Sequence, residues 1–94
     1  MSAATATATV VITHPTGLHA RPAVKLTKLA KAYPATLRLR GPGGEWVDAK
    51  SIVKVMALKL RTGATLELEG EGEEAEAAVE ALRALVERDF DEHG

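Results

Sequence analysis

Two stretches far apart in the chain, TLRLR (36–40) and TLELE (65–69), alternate strictly between leucine and charge. In extended backbone, successive side chains point to opposite faces. Leu37 and Leu39 therefore face one way and Arg38 and Arg40 the other, and TLELE sorts in the same manner. Strands of this kind need a cover for the leucines, while the charged face meets water. Two more segments read as strands. TATVVIT (7–13) is rich in Thr and Val. EWVDA (45–49) follows the turn GPGG (41–44) and puts Val47 and Ala49 inward, with Trp46 outward or on a rim.

The cover comes from segments with a helical period. From Ala20, the residues Leu26, Leu29, Ala30 and Tyr33 recur on one face, Lys25, Lys28 and Lys31 point elsewhere, and Pro34 ends the helix. Ser51 is placed to cap a second helix running to about Leu60, with Thr62-Gly63 beyond its end. A third helix is expected from Glu71 to Asp89, with Ala75, Ala78, Val79, Leu82, Leu85 and Val86 on one stripe. Glu73, Glu74 and Glu76 would lie in its first turns, where the helix dipole favours negative charge. The order is β-α-β-β-α-β-α. The expected class is α+β: an open-faced sandwich, with a four-stranded antiparallel sheet covered on one face by three helices. The 94 residues are expected to form a single domain, 1–94, and with Phe, Trp and Tyr present once each the core is expected to be aliphatic.

Several classes of function fall away. There is no cysteine, which excludes disulfides and thiol chemistry and is compatible with a cytoplasmic setting. No apolar run approaches the roughly 20 residues of a membrane span, so no membrane insertion is expected. The opening MSAATATA lacks a basic region followed by an apolar one and reads as a short lead into the first strand. The net charge of −1 hides an asymmetry: residues 1–61 hold ten Lys/Arg and two Asp/Glu, while residues 62–94 hold two and eleven. A basic patch near Arg21, Lys25, Lys28, Lys50 and Lys54 suits an acidic partner or a phosphate. Nucleic acid is not expected, because Trp46 and Tyr33 stand far apart and do not interleave with the cations.

TGLHARPA (16–23) carries the chemistry. If His19 flanks the first turn of a helix, Ala20, Arg21 and Pro22 occupy that turn, where backbone N–H groups have no intrahelical partner. Pro22 lacks an N–H, but at this place none is missed. The N–H groups of Ala20, Arg21 and Ala23, with the positive end of the dipole, make an anion site, and Arg21 adds a guanidinium fork for phosphate oxygens. Gly17 allows a sharp turn and keeps side-chain bulk off the imidazole. The helix end opposes further positive charge, and neutral imidazole is the nucleophilic form. A phosphorylated imidazole carries negative charge, which the same helix end and Arg21 stabilise. His14 reads as a surface residue and His93 as part of a charged tail. Two histidines so far apart make no metal site, and no cofactor is expected.

GLHARPA (17–23), DAKSI (48–52) and GEGEEAEAAVEAL (70–82) closely resemble the HPr family, the histidine-containing phosphocarriers of the bacterial sugar phosphotransferase system. The resemblance runs over about residues 7 to 88 with the same element order. It implies the open-faced sandwich. It further implies that His19 takes a phosphoryl group on Nδ1 from enzyme I, charged by phosphoenolpyruvate, and passes it to a IIA domain. Arg21 matches the family's site arginine and Ser51 the serine that a regulatory kinase modifies. Many relatives have Asn where Thr16 stands, whose hydroxyl can cap locally. Relatives under kinase control often continue Ser-Ile-Met-Gly, where this chain has Ser51-Ile52-Val53-Lys54. An N-cap role is sufficient by itself to explain Ser51.

SIVKVMALKL (51–60) is apolar on too many sides for a helix buried on one. Val55 and Leu58 are expected to face the sheet, while Ile52, Val53 and Met56 form a second, more exposed cluster of the kind that often marks a partner site; the resemblance implies that this helix lies beside the histidine and docks both donor and acceptor proteins. The expected molecule is a monomeric carrier, transiently phosphorylated, and not an autonomous enzyme. A different class of reading is a regulatory binding module acting through Ser51 and the apolar patch without carrying phosphate. A hydrolase using His19 as base ranks last, because no Ser or Cys nucleophile motif accompanies it.

Overall fold

A computed structural model describes residues 5–91 of the chain. Its elements run β1 (Thr5–Val11), α1 (Ala20–Lys31), β2 (Thr36–Arg40), β3 (Val47–Asp48), α2 (Ile52–Ala57), β4 (Thr65–Glu71) and α3 (Ala75–Glu87), followed by a short turn at Asp89–Asp91. All strand pairs are antiparallel, in the order β1-β4-β2-β3. The expected four-stranded open sandwich is therefore the fold. Residues 1–4, most of the lead before the first strand, and His93 lie outside the described residues.

The strict alternation works as read. Leu37, Leu39, Leu66 and Leu68 are buried under the helices, and the six-residue stripe of α3 is buried throughout. Gly70 marks where α3 comes closest. A Cβ there would stand 2.8 Å from Val79 Cγ2 and 3.1 Å from the Ala75 carbonyl oxygen, so no side chain fits. On the open face, β2 and β4 put arginine opposite glutamate: Arg38 meets Glu69 at 2.9 Å and Arg40 meets Glu67 at 2.9 Å. Two of the ten cations of residues 1–61 are thus paired across this ladder with acids from residues 62–94. Arg40 also lies over Trp46, 4.5 Å from its ring, which fixes the tryptophan on the rim.

Helix ends depart from the periodic reading. α2 stops at Ala57, short of Leu60: the N–H groups of Leu58 and Lys59 bond only three residues back, to the Val55 and Met56 carbonyls, and Lys59 turns left-handed (φ 49°). α3 starts at Ala75, not Glu71: β4 runs on to Glu71, and Glu74 is left-handed at the cap. Only Glu76 of the three expected glutamates occupies the first turn.

Two further expectations are corrected by contacts between distant segments. Phe90 is 0% exposed, so the core is not purely aliphatic. His14 is 8% exposed and sits with its ring edge-on to Phe90, centroids 6.0 Å apart, so it is no surface residue. Thr13 donates its hydroxyl to the Asp89 carboxylate beside this pair.

Candidate functional site

His19 is exposed and caps α1 in extended geometry (φ −89°, ψ −172°), without a side-chain capping bond. Its ring is therefore not engaged in holding the helix. The chain reaches it through a tight turn in which Gly17 donates to the His14 carbonyl at 2.9 Å. Gly17 has φ 68°, and a Cβ there would fall 2.5 Å from the Leu60 carbonyl oxygen. The glycine is needed for both reasons. The bulk it excludes would strike the 60–61 backbone, so the expectation that it spares the imidazole is replaced by this contact. Leu18 then anchors the loop, with its side chain buried and its N–H donating to Leu60 at 2.9 Å.

The first intrahelical bond of α1 is Ala23 N–H to the His19 carbonyl, 2.9 Å. Ala23 therefore drops out of the expected anion site. Ala20 and Arg21 stand ahead of that bond, and Pro22, buried, has no N–H to place. Ala20, Arg21, Val24, Lys25 and Lys28 line one shallow depression along the helix that His19 caps. Three of the five expected cations share this surface. Lys50 does not join them: its ammonium donates to the Tyr33 carbonyl at 2.7 Å, just beyond the end of α1. Lys54 is exposed on α2.

Ser51 caps α2, its hydroxyl accepting from the Lys54 N–H at 3.4 Å. The expected docking cluster divides. Val53 is 75% exposed and Met56 39%, but Ile52 is half-buried and packs on the core. Val55 is fully buried, and Leu58 is half-buried against the core as well. Val24 of α1, 44% exposed, is an apolar residue that the periodic reading passed over. Its position off the Leu26–Ala30 stripe was the available signal.

Thr16 does not cap the helix. Its N–H donates to His14 Nδ1 at 3.1 Å, and its hydroxyl lies 2.9 Å from the same nitrogen. Thr62, unremarked in the sequence, donates to the His14 carbonyl at 2.6 Å. Among the described residues, no group of three or more His, Cys, Asp or Glu side chains stands close enough to hold a metal. Among them too, no helix is long and apolar enough to cross a membrane.

Comparison with known proteins gives a consistent result. The family model described as PTS HPr component phosphorylation site matches residues 6–88. The chain is 38% identical over 84 residues to phosphocarrier protein NPr of Escherichia coli, covering 89% of this chain and 93% of that one. It is 40% identical over 83 residues to phosphocarrier protein HPr of Pseudomonas aeruginosa, covering 88% and 92%. The crystal structure of HPr-C-His from Thermoanaerobacter tengcongensis superposes with a TM-score of 0.88 at 34% identity, over 95% of this chain and 99% of that one.

Proposed function

The chain belongs to the HPr family of phosphotransferase-system phosphocarriers, which are carriers and not autonomous enzymes, and from that premise we propose that residues 1–94 act as one unit that accepts a phosphoryl group on His19 from enzyme I and delivers it to IIA domains. One observation carries this reading: His19 is an exposed helix cap whose imidazole makes no capping bond, at the start of a helix with Arg21 in its first turn. A ring nitrogen of His19 attacks phosphorus as the bond from phosphorus to the donor breaks. The new phosphoimidazole faces the positive end of α1 and the Arg21 guanidinium, which favour its added negative charge. Transfer onward is the same step with a different acceptor. A cytoplasmic setting fits these partners.

Incubation with phosphoenolpyruvate and enzyme I tests the reading. The chain is expected to gain one acid-labile, base-stable phosphoryl group on His19. A chain that stays unlabelled, or is labelled elsewhere, overturns it.

Arg21→Ala is expected to slow transfer by about 10- to 100-fold, the range set by losing a charge-assisted bond of about 1.5–3 kcal/mol. Quench-flow measurement of His19 phosphorylation checks this. Wild-type kinetics would place Arg21 outside the transfer site.

Docking is assigned to exposed Val53 and Met56 of α2 and to Val24 of α1, which lines a depression with Arg21, Lys25 and Lys28. A serine kinase acting on Ser51 would add charge at this face. Ser51→Asp imitates that charge. Asp caps a helix about as well as Ser, so stability is expected to change by less than about 0.5 kcal/mol. A carboxylate beside the apolar contact, facing an acidic partner rim, is expected to weaken enzyme I binding by about 1–3 kcal/mol. Calorimetric titration beside a melting curve separates the two effects. Equal affinities would remove the start of α2 from the docking face.

A further inference from the structure

His14 is the one buried titratable ring among the described residues, and phosphoryl transfer as set out above makes no use of it. Its carbonyl closes the turn by accepting from Gly17 at 2.9 Å and also accepts from Thr62 at 2.6 Å. Its Nδ1 accepts the Thr16 N–H at 3.1 Å. The Thr16 hydroxyl, 2.9 Å from the same nitrogen, can donate or accept, but a backbone N–H only donates, so the Thr16 N–H favours a lone pair on Nδ1 and, in the neutral imidazole, the proton on Nε2. The ring is then set edge-on to Phe90.

This is the arrangement an asparagine makes when its side-chain oxygen accepts the N–H two residues on. The imidazole does the same and also reaches the core, which an asparagine side chain is too short to fill. One residue thus ties the turn to the 62–64 segment and to the C-terminal turn. Five residues on, the chain delivers His19, whose own ring makes no capping bond to the helix. Whatever fixes residues 14–18 therefore fixes the nucleophile.

We propose that His14 is a positioning residue for His19: as a neutral acceptor with its proton on Nε2, its ring locks the 14–17 turn and so sets where the phosphoryl-accepting imidazole stands. The proposal rests on His19 being the phosphoryl acceptor. Displacement of a reacting group by about 1 Å is enough to cost on the order of 100-fold in rate, so a loosened turn is visible in transfer kinetics.

Two variants separate the acceptor from mere bulk. His14→Asn keeps an acceptor for the Thr16 N–H and loses the ring. His14→Leu keeps apolar bulk against Phe90 and loses the acceptor. The Asn variant is expected to be phosphorylated by enzyme I within about threefold of wild type, and the Leu variant about tenfold or more slower. In the unphosphorylated protein, Thr16 amide exchange is expected to quicken by about tenfold in the Leu variant alone. In wild type, nitrogen-15 spectra are expected to show the Nε2–H tautomer for His14. Equal slowing by both substitutions, or unchanged transfer in the Leu variant, overturns the proposal. So does an Nδ1–H tautomer, a measurement that needs no variant to fold. If wild type itself takes up no phosphoryl group, the carrier reading falls, while the exchange rates and the tautomer still decide whether His14 locks the turn.

Discussion

His19→Ala is expected to take up no phosphoryl group from enzyme I while melting within about 4 °C of wild type. The two halves of that result come from different facts. The nucleophile is removed, and Ala20, Arg21 and the helix end offer no replacement for it. The fold is spared because the His19 ring is exposed and makes no capping bond, so its loss is worth less than about 0.5 kcal/mol. In a domain of this size about 1 kcal/mol moves the midpoint by roughly 4–8 °C. Labelling with phosphoenolpyruvate and a melting curve on the same preparation check both. Residual label would assign the site to another residue; a collapsed melting curve would make His19 structural.

Phe90→Ala is expected to have the opposite signature. Removing a fully buried phenylalanine costs about 3–5 kcal/mol, a large share of the stability available to a small domain. The midpoint should fall by more than about 12 °C. Phe90 sits in a turn where Asp89, Phe90 and Asp91 all have positive φ, near 55–59°. Such backbone is unfavourable for non-glycine residues. Burial of the ring, with the Thr13–Asp89 and Arg88–Asp91 contacts, holds the chain in it. Differential scanning calorimetry tests this, and a shift of a few degrees would mean that the aliphatic core is self-sufficient.

The sequence carried the local physics well. TLRLR became a strand with the same boundaries, and the α3 stripe is buried at all six positions. Both readings rest on a repeating period, which a short window contains in full. The position of His19 at a helix start was also legible, because Gly17 and Pro22 bracket it with opposite backbone requirements. What was missed depends on residues brought together from afar. His14 looked like a surface residue because its partners Thr62 and Phe90 lie 48 and 76 positions away. The early end of α2 has a local origin instead: Lys59 takes the left-handed region, and a lysine inside an apolar period gives no sign of it. Ala23 was misassigned for a different reason. A capping residue's own carbonyl already accepts the first helical bond, so its N–H was committed from the outset.

The contacts of Thr13 with Asp89 and His14 with Phe90 span nearly the whole chain, and they bear on timing. During synthesis, residues 13–19 are made early, but the partners that shape them are among the last described residues to be added. Closing so long a loop is slow and must precede any gain from the contact. A nascent chain therefore holds its histidine motif without the finished turn around it until Asp89 and Phe90 have been added. Residues 89–91 complete the setting of a segment made about 76 residues earlier, so chains arrested before residue 90 lack the contacts that enclose the turn leading to His19.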